Sequence, residues 1–452
     1  MGILVLSVMI LAEVGLGIYS ITKQREKQKW LQNRCVVSAG ELVSYFLMIL
    51  LPGIDFSFRF KGLFFLLLIR ALVSGICLLI KYRKAEGKKK IAGILGSAIV
   101  GILFIVFSLI PAFVFTGYEG KATSGEHEVA ISQVILVDQS RVETFEDDGS
   151  KREVPVHFYY PADADGSETY PLVVFSHGAF GYYSSNTSTY MELASNGYVV
   201  MSLDHPYHSF FTQDTDGKTV LVNMNFLNEV SFINEEDASE DEIYTLSSKW
   251  IELRKADMNF ALDTVKEATA VTALSDAWFL GKTDETTILN ILNCINCDKI
   301  GLMGHSLGGA TSVSLGRERE DISAVIDLDG TMLGEEMGYE NGEYIMNETP
   351  YPVPLLSIDN ESHHLDGQEA GSYYVNNVVL QNALDGHNTY VIGSGHLNFT
   401  DLPLFAPILA AKLGVGPIDA NHCIDTMNEI VLQYMNHYLK NEGGFNLQER
   451  YE

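Results

Sequence analysis

The sequence predicts an α/β fold of two unlike parts: a mostly parallel, doubly wound sheet domain preceded by a bundle of four apolar helices. Three observations predict it. Four long apolar runs, near 2–21, 36–54, 62–80 and 91–116, crowd the first quarter of the chain. The first 120 residues carry 14 Lys and Arg against 6 Asp and Glu, whereas the remainder carries 16 against 52. Beyond residue 180, apolar strand-like segments alternate with helix-like ones, the rhythm of a parallel sheet with helical crossovers.

Each apolar run approaches the roughly 20 residues that a helix needs to cross a bilayer. Residues 1–117 are therefore read as a transmembrane region. No basic stretch precedes the first run and no small-residue cleavage site follows it, which disfavours a removable signal peptide. The first connector holds Lys23, Arg25, Lys27, Lys29 and Arg34, and the third holds Lys81, Arg83, Lys84, Lys88, Lys89 and Lys90. The middle one has only Arg59 and Lys61, partly offset by Asp55. Positive connectors stay cytoplasmic, so the expectation is a multi-pass cell-membrane protein whose chain beyond residue 117 is extracytoplasmic. Glu13, Glu41 and Arg70 fall inside apolar runs, and an interhelical ion pair or a snorkelling side chain accounts for them.

Residues 118–127 read as a linker, 128–441 as the sheet domain and 442–452 as a polar tail. The domain opens with two β-like segments, Ile131–Val137 and Val154–Tyr160, around the acidic turn Glu146-Asp147-Asp148-Gly149, a hairpin signal. Further strands are read at Leu172–Phe175, Tyr198–Leu203, Lys299–Met303, Ile322–Leu328, Val353–Ile358 and Thr389–Ile392. Helices are read at Tyr190–Asn196, Lys249–Ala268 and Ile424–Leu439. An acidic insertion, 207–245, interrupts the rhythm with Asp214-Thr215-Asp216-Gly217, Glu235-Glu236-Asp237 and Glu240-Asp241-Glu242. Its spacing is incomplete for a calcium loop, so it is read as a solvated element near the strand ends. Cys294 and Cys297 have C-x-x-C spacing, open to a small-loop disulfide but lacking the further ligands of a zinc site.

Gly304-His305-Ser306-Leu307-Gly308-Gly309 carries the chemistry. A serine between glycines, after an apolar strand and before a helix, is the pattern of a nucleophile elbow. Such a serine needs a base, and the base a carboxylate, in the order Ser, acid, His. Among His363, His364, His387, His396, His422 and His437, His396 sits in a glycine-bearing loop directly after the last apolar strand. It is read as the base, with the pair His363-His364 as fallback. Asp327, Asp329 and Asp359 all follow strands, and spacing does not choose among them. The oxyanion needs two N–H donors: Leu307, after the nucleophile, and one from Ser176-His177-Gly178-Ala179-Phe180-Gly181. Ala179 is preferred there, with Phe180 one residue away. His205, after a central strand, is either a pocket residue beside Phe180 or a packed structural histidine.

These segments, in this order, resemble the group VII phospholipase A2 family, the platelet-activating-factor acetylhydrolases of the α/β-hydrolase superfamily. The resemblance runs from about Val156 to Leu439. It rests on Phe175-Ser176-His177-Gly178, Leu193-Ala194-Ser195-Asn196-Gly197-Tyr198, the elbow, Leu328-Asp329-Gly330-Thr331-Met332, Pro354-Leu355-Leu356, Gly393–Phe399 and Ile418-Asp419-Ala420-Asn421. It implies an α/β-hydrolase fold and an acid in the Leu-Asp-x-x-Met segment, hence Asp329, with Asp359 the alternative. Two departures stand out: His-Gly-Ala-Phe-Gly replaces the family's common His-Gly-Leu-Gly, and the four-helix region is foreign to the pattern. The resemblance implies hydrolysis of short-acyl phospholipid esters through an acyl-serine, without metal or organic cofactor. A broad-specificity esterase, thioesterase or polyester hydrolase is the enzymatic alternative, and a catalytically inert membrane sensor or binding protein the rival class. The expected partners are a lipid or lipid-like ester and the bilayer; so acidic a domain repels nucleic acid.

Overall fold

The computed structural model describes residues 2–51, 54, 56–234 and 238–452. Asp55, Glu235, Glu236 and Asp237 of the reading above lie outside the described residues. The chain divides into two compact units. One runs to Glu119 and takes in Leu404–Leu409; the other comprises Gly120–Pro403 and Ala410–Glu452.

The first unit holds α1 (Gly2–Thr22), α2 (Lys27–Met48), α3 (Phe58–Lys81) and α4 (Ile91–Ser108). By length and composition three segments suffice to cross a membrane: Gly2–Thr22, Phe58–Lys84 and Ile91–Ser108. The second expected run does not meet that measure on its own. The apolar run that begins near residue 36 forms only the later part of α2, whose first turns bring Lys27, Lys29 and Arg34 into the helix. The fourth run breaks after Ser108, and a short helix, Ile110–Val114, follows with Pro111 in its first turn, where a missing N–H does no harm. The charges inside the apolar runs pair with one another. Glu13 accepts from Arg70 and from Arg34 (2.6 Å), and Arg70 reaches Glu41 at 3.1 Å.

The second unit is built on a ten-stranded sheet. Its strands are β1 (Val129–Val142), β2 (Lys151–Pro161), β3 (Tyr170–Ser176), β4 (Val199–Leu203), β5 (Trp278–Phe279), β6 (Ile295–His305), β7 (Ile322–Leu328), β8 (Leu355–Asn360), β9 (Gly386–Val391) and β10 (Arg450–Tyr451). Their order is β10-β9-β8-β7-β6-β3-β4-β2-β1-β5. β1 and β2 form the expected antiparallel hairpin, β2 meets β4 antiparallel, and the pairs from β4 across to β10 are parallel. β3, β4 and β8 are buried at every residue, as a sheet covered on both faces requires. This is the α/β-hydrolase arrangement, and the parallel strands β6, β7, β8 and β9 all deliver their C-terminal ends to one edge of the sheet, where such folds place their sites.

Two further segments carry secondary structure of their own. Within the acidic insertion, among the described residues, strands Phe211–Gln213 and Thr219–Leu221 pair as a hairpin, and a helix, Met224–Ile233, follows. Glu240, Asp241 and Glu242 form the first turn of a long helix, Glu240–Ala268, with Ser239 and Glu242 in a capping box. Acidic side chains suit that turn because its N–H groups are unpaired and the helix dipole is positive there. Residues 442–452 contain β10, whose two residues pair with the outer edge of β9. All five cysteines are free thiols, and Cys294 Sγ accepts the Gly166 N–H at 3.1 Å.

The tight passage from β6 into the next helix dictates its glycines. A Cβ on Gly304 would strike the backbone of Gly308, and one on Gly308 would strike the Ser176 carbonyl. Backbone cannot give way as a flexible side chain can. Gly308→Ala is therefore expected to destabilise the protein by about 2 kcal/mol or more, read as a fall in Tm in detergent. Gly444→Ala, with open space around it, should stay within about 0.5 kcal/mol of the parent.

Candidate active site

β6 ends at His305, and Ser306 turns the chain with φ 55° and ψ −126° before the helix Leu307–Glu318 begins. A non-glycine residue held there stores about 1–3 kcal/mol of strain. The turn is fixed from both sides: the Ser306 N–H donates to the Leu328 carbonyl (2.9 Å), and its own carbonyl accepts from Ala310 N–H (3.0 Å). Leu307 is the first residue of the helix, where N–H groups have no partner within it.

The loop after β3 lies directly over this serine. A Cβ on Gly178 would come within 3.3 Å of Ser306 Cβ and 2.8 Å of His305 Nδ1, so only glycine allows the approach. The Phe180 N–H is engaged, donating to the His208 carbonyl at 3.2 Å. Among the described residues nothing occupies the Ala179 N–H. Of the two donors proposed from sequence, the loop thus leaves Ala179 free.

His396 opens a short 3₁₀ turn, His396–Phe399, after β9. Its Nδ1–H donates to Asp329 Oδ2 at 2.6 Å. That bond leaves Nε2 as the basic nitrogen. His305, next to the serine, lies beside the His396 ring with centroids 4.7 Å apart and hydrogen-bonds the His396 carbonyl through Nε2 at 3.0 Å. Burial and the neighbouring His396 push the His305 pKa down to about 3, so it serves as a neutral donor.

Asp329 follows β7 in a left-handed conformation, φ 56°, which aspartate tolerates better than most residues. Its carboxylate is buried and receives four donors. Oδ1 accepts the Asn360 N–H (2.7 Å) and His363 Nδ1–H (3.0 Å); Oδ2 accepts Asn360 Nδ2–H (2.7 Å) and His396. Burial alone would raise its pKa, but the hydrogen bonds and charges of His363 and His396 hold it well below the ordinary range. The other two aspartates point elsewhere. Asp359 bonds Ser357 Oγ (2.8 Å) and Asn388 Nδ2 (2.7 Å). Asp327 accepts the Gly330 N–H, and burial followed by the charges of Asp359 and Asp329 pushes its pKa far up. Asp329, Asp359 and His363 each offer an atom that could ligate a metal. The four donors already on Asp329 fill its lone pairs, so a cation there would have to displace them.

The sequence treats His363 as a rival of His396. The structure sets it on the opposite oxygen of the same carboxylate, with its Nε2 hydrogen-bonded to Tyr374 OH. His205 is fully buried, with Nε2 on Ser176 Oγ (2.9 Å) and Nδ1 on Asp257 Oδ2 (3.1 Å); burial depresses its pKa to about 4. It is the packed histidine of the two readings. Asp257 in turn takes Arg152 (2.7 Å) and Arg141 (2.9 Å). Phe180 faces an apolar cluster with Leu307, Ala179, Phe226, Trp250 and Ile251. The buried Arg254 behind the loop has no signature in the sequence, where it is one charge among many on a helical stretch.

Burial disfavours charge on His363, yet the Asp329 bond and charge raise its pKa above the usual value. A raised imidazole pKa stabilises the fold below the unfolded value of about 6.5 and loses that contribution as pH rises through the native value. His363→Phe is accordingly expected to lower Tm more at pH 5 than at pH 9, measured on the same detergent preparation.

The family described as platelet-activating factor acetylhydrolase, isoform II, matches residues 144–450. Platelet-activating factor acetylhydrolase from Cavia porcellus is 24% identical over 290 residues, covering 60% of this chain and 58% of that protein. The Gallus gallus protein of the same name is 23% identical over 296 residues, 60% of this chain and 63% of its own length. The chain thus spans less than two thirds of these relatives. Among solved structures, the ferulic acid esterase from Streptomyces cinnamoneus superposes with a TM-score of 0.51 over 74% of this chain and 97% of its own, at 18% identity; what the two share is the fold. The family match takes in the elbow, the loop after β3, and both Asp329 and His396. With more than half its length inside that match, the chain belongs to the platelet-activating factor acetylhydrolase, isoform II, family.

Proposed function

We propose that the protein is a membrane-anchored serine hydrolase that cleaves lipid carboxylic esters through an acyl-serine intermediate. The observation that carries this reading is the 2.6 Å bond from His396 Nδ1–H to Asp329. It fixes the tautomer that a general base on Ser306 requires. In the proposed sequence His396 Nε2 takes the Ser306 proton as Oγ attacks the ester carbonyl. The N–H groups of Leu307 and Ala179 receive the oxyanion. His396 then protonates the departing alcohol, and water repeats the steps on the acyl-enzyme. Asp329 stays ionised throughout and stabilises the imidazolium.

Short-acyl phospholipids are the proposed substrate class. The family supports it, and so does the apolar cluster beside the oxyanion loop. There Phe226 and Trp250 meet edge to face at 5.3 Å, with Phe180 5.2 Å from Phe226. A wall of this kind limits the depth open to an acyl chain. The proposed anchor is the four-helix N-terminal unit, with the chain beyond residue 117 outside the cytoplasm; the basic connectors support that orientation.

Ser306→Ala and Asp329→Asn are each expected to lower kcat on p-nitrophenyl acetate by ~10⁴-fold or more, and Ser306→Ala to abolish labelling by a fluorophosphonate. Parent-like turnover in Ser306→Ala defeats the reading. Ala122→Cys, at an exposed position, is expected to react in intact cells with a membrane-impermeant maleimide above the parent's background. Protection until the cells are permeabilised would reverse the orientation.

A further inference from the structure

Arg254 lies on the long helix Glu240–Ala268 and is fully buried. Burying a guanidinium is costly unless a carboxylate pairs with it, yet among the described residues no carboxylate reaches ion-pair distance of Arg254. Its donors go instead to the loop over Ser306. Nη1 donates to the His177 carbonyl, Nη2 to the Gly178 carbonyl (3.3 Å) and Nε to His208 Nδ1 (3.3 Å). Burial lowers its pKa to about 9, which leaves it charged at neutral pH.

The Gly178 carbonyl is the focus of this arrangement. Besides Arg254 it accepts His177 Nδ1–H at 2.7 Å and the Gly181 N–H at 3.0 Å. His177 holds the matching tautomer, since its Nε2 accepts from Ser209 Oγ (2.8 Å) and the His205 N–H (3.3 Å). Three donors thus converge on one oxygen. That oxygen belongs to the same amide as the Ala179 N–H. Donors on an amide oxygen draw density from its nitrogen and sharpen the N–H as a donor in turn. They also prevent the peptide from flipping its N–H away from Ser306. Resting on the serine-hydrolase reading above, we propose that Arg254 is a positioning residue that fixes and polarises the Gly178–Ala179 amide as the second oxyanion donor.

The test uses the full chain in detergent. It measures kcat and KM on p-nitrophenyl acetate, Ki for a trifluoromethyl ketone that forms an oxyanion adduct on serine, fluorophosphonate labelling, and Tm. Arg254→Gln is expected to lower kcat by ~10–100-fold, part of the ~10²–10³ that loss of a whole oxyanion donor costs, and to raise Ki by the same factor while KM stays within about twofold. Arg254→Lys, which keeps the charge but loses the planar fork, should recover only part of that loss, leaving a matched change of a few-fold in kcat and Ki. In an Ala179→Pro background, which lacks the N–H altogether, Arg254→Gln should cost no more than about a further twofold. Parent-like kcat and Ki in Arg254→Gln, or an undiminished loss in the Ala179→Pro background, overturns the proposal. Should Arg254→Gln fail to fold, Arg254→Lys decides: a matched change in kcat and Ki supports the proposal, and parent values of both overturn it. A parent chain that takes no fluorophosphonate overturns the hydrolase reading itself; a parent that labels while the Arg254 variants keep full rate overturns only this inference.

Discussion

The buried carboxylate of Asp329 is the constraint on which the arrangement depends. An ionised carboxylate in the interior costs several kcal/mol unless its lone pairs are filled. Here the donors come from the ends of two different strands: Asn360, the last residue of β8, with His363 just beyond it, and His396 after β9. The Asp329 N–H also donates to the Ile358 carbonyl of β8 at 2.9 Å. Satisfying one charge therefore ties three adjacent strand ends together. Asn360 has a second duty as the cap of the helix Glu361–Ala370, its Oδ1 accepting the His363 N–H at 3.0 Å. The same residue thus places His363 and grips Asp329. Asp327, two residues upstream and equally buried, has its charge suppressed, so negative charge concentrates on the carboxylate that His396 touches.

What the sequence could and could not disclose follows from the range of the forces involved. The elbow is legible at Ser306 because its glycines answer local steric demands, a few residues apart. His396 is legible because a glycine loop ending an apolar strand is also a local pattern. The acid is legible only through the family resemblance, which points to Asp329; by spacing, Asp327, Asp329 and Asp359 have equivalent local surroundings. What separates them is the parallel register of β7 on β8, with Leu328 opposite Ile358, and register is a long-range property. His363 stays a fallback base in the sequence for the same reason. A histidine after a strand looks like a candidate base until the neighbouring strand shows which carboxylate oxygen it faces. The acidic stretch near Glu240 shows only as a solvated insertion because composition dominates its appearance, while the Ser239–Glu242 box that starts a helix is only two side chains. Arg254 is the extreme case, since its role depends entirely on a loop more than 70 residues earlier in the chain.

The N-terminal unit obeys the same rule. α1, α3 and α4 are apolar enough to cross a bilayer, whereas α2 is more polar. Yet Glu13 on α1 and Arg70 on α3 would each be costly in hydrocarbon without partners. They pair with each other, and α2 adds a second partner to each: Arg34 to Glu13, and Glu41 to Arg70. The helix that composition excludes as a lone span completes the polar network of the other two. Its membership in the bundle is thus a matter of ion pairing, where that of its neighbours is a matter of hydropathy.

In the proposed reaction two charges appear together, an imidazolium on His396 and an oxyanion beside Leu307 and Ala179. A fixed charge of opposite sign stands behind each: Asp329 against the imidazole, and Arg254 behind the loop that carries Ala179. Both are buried and held in place by hydrogen bonds to the fold. A field of that kind is already oriented before substrate arrives and needs no rearrangement as charge develops, the condition under which electrostatic stabilisation of a transition state is largest. The donors at Leu307 and Ala179 are then unequal in origin. The first comes from the elbow itself and cannot be lost while the turn survives. The second depends on a glycine that permits the approach and on an arginine that holds the peptide in place, so it is the part of the site that single substitutions outside the triad can tune.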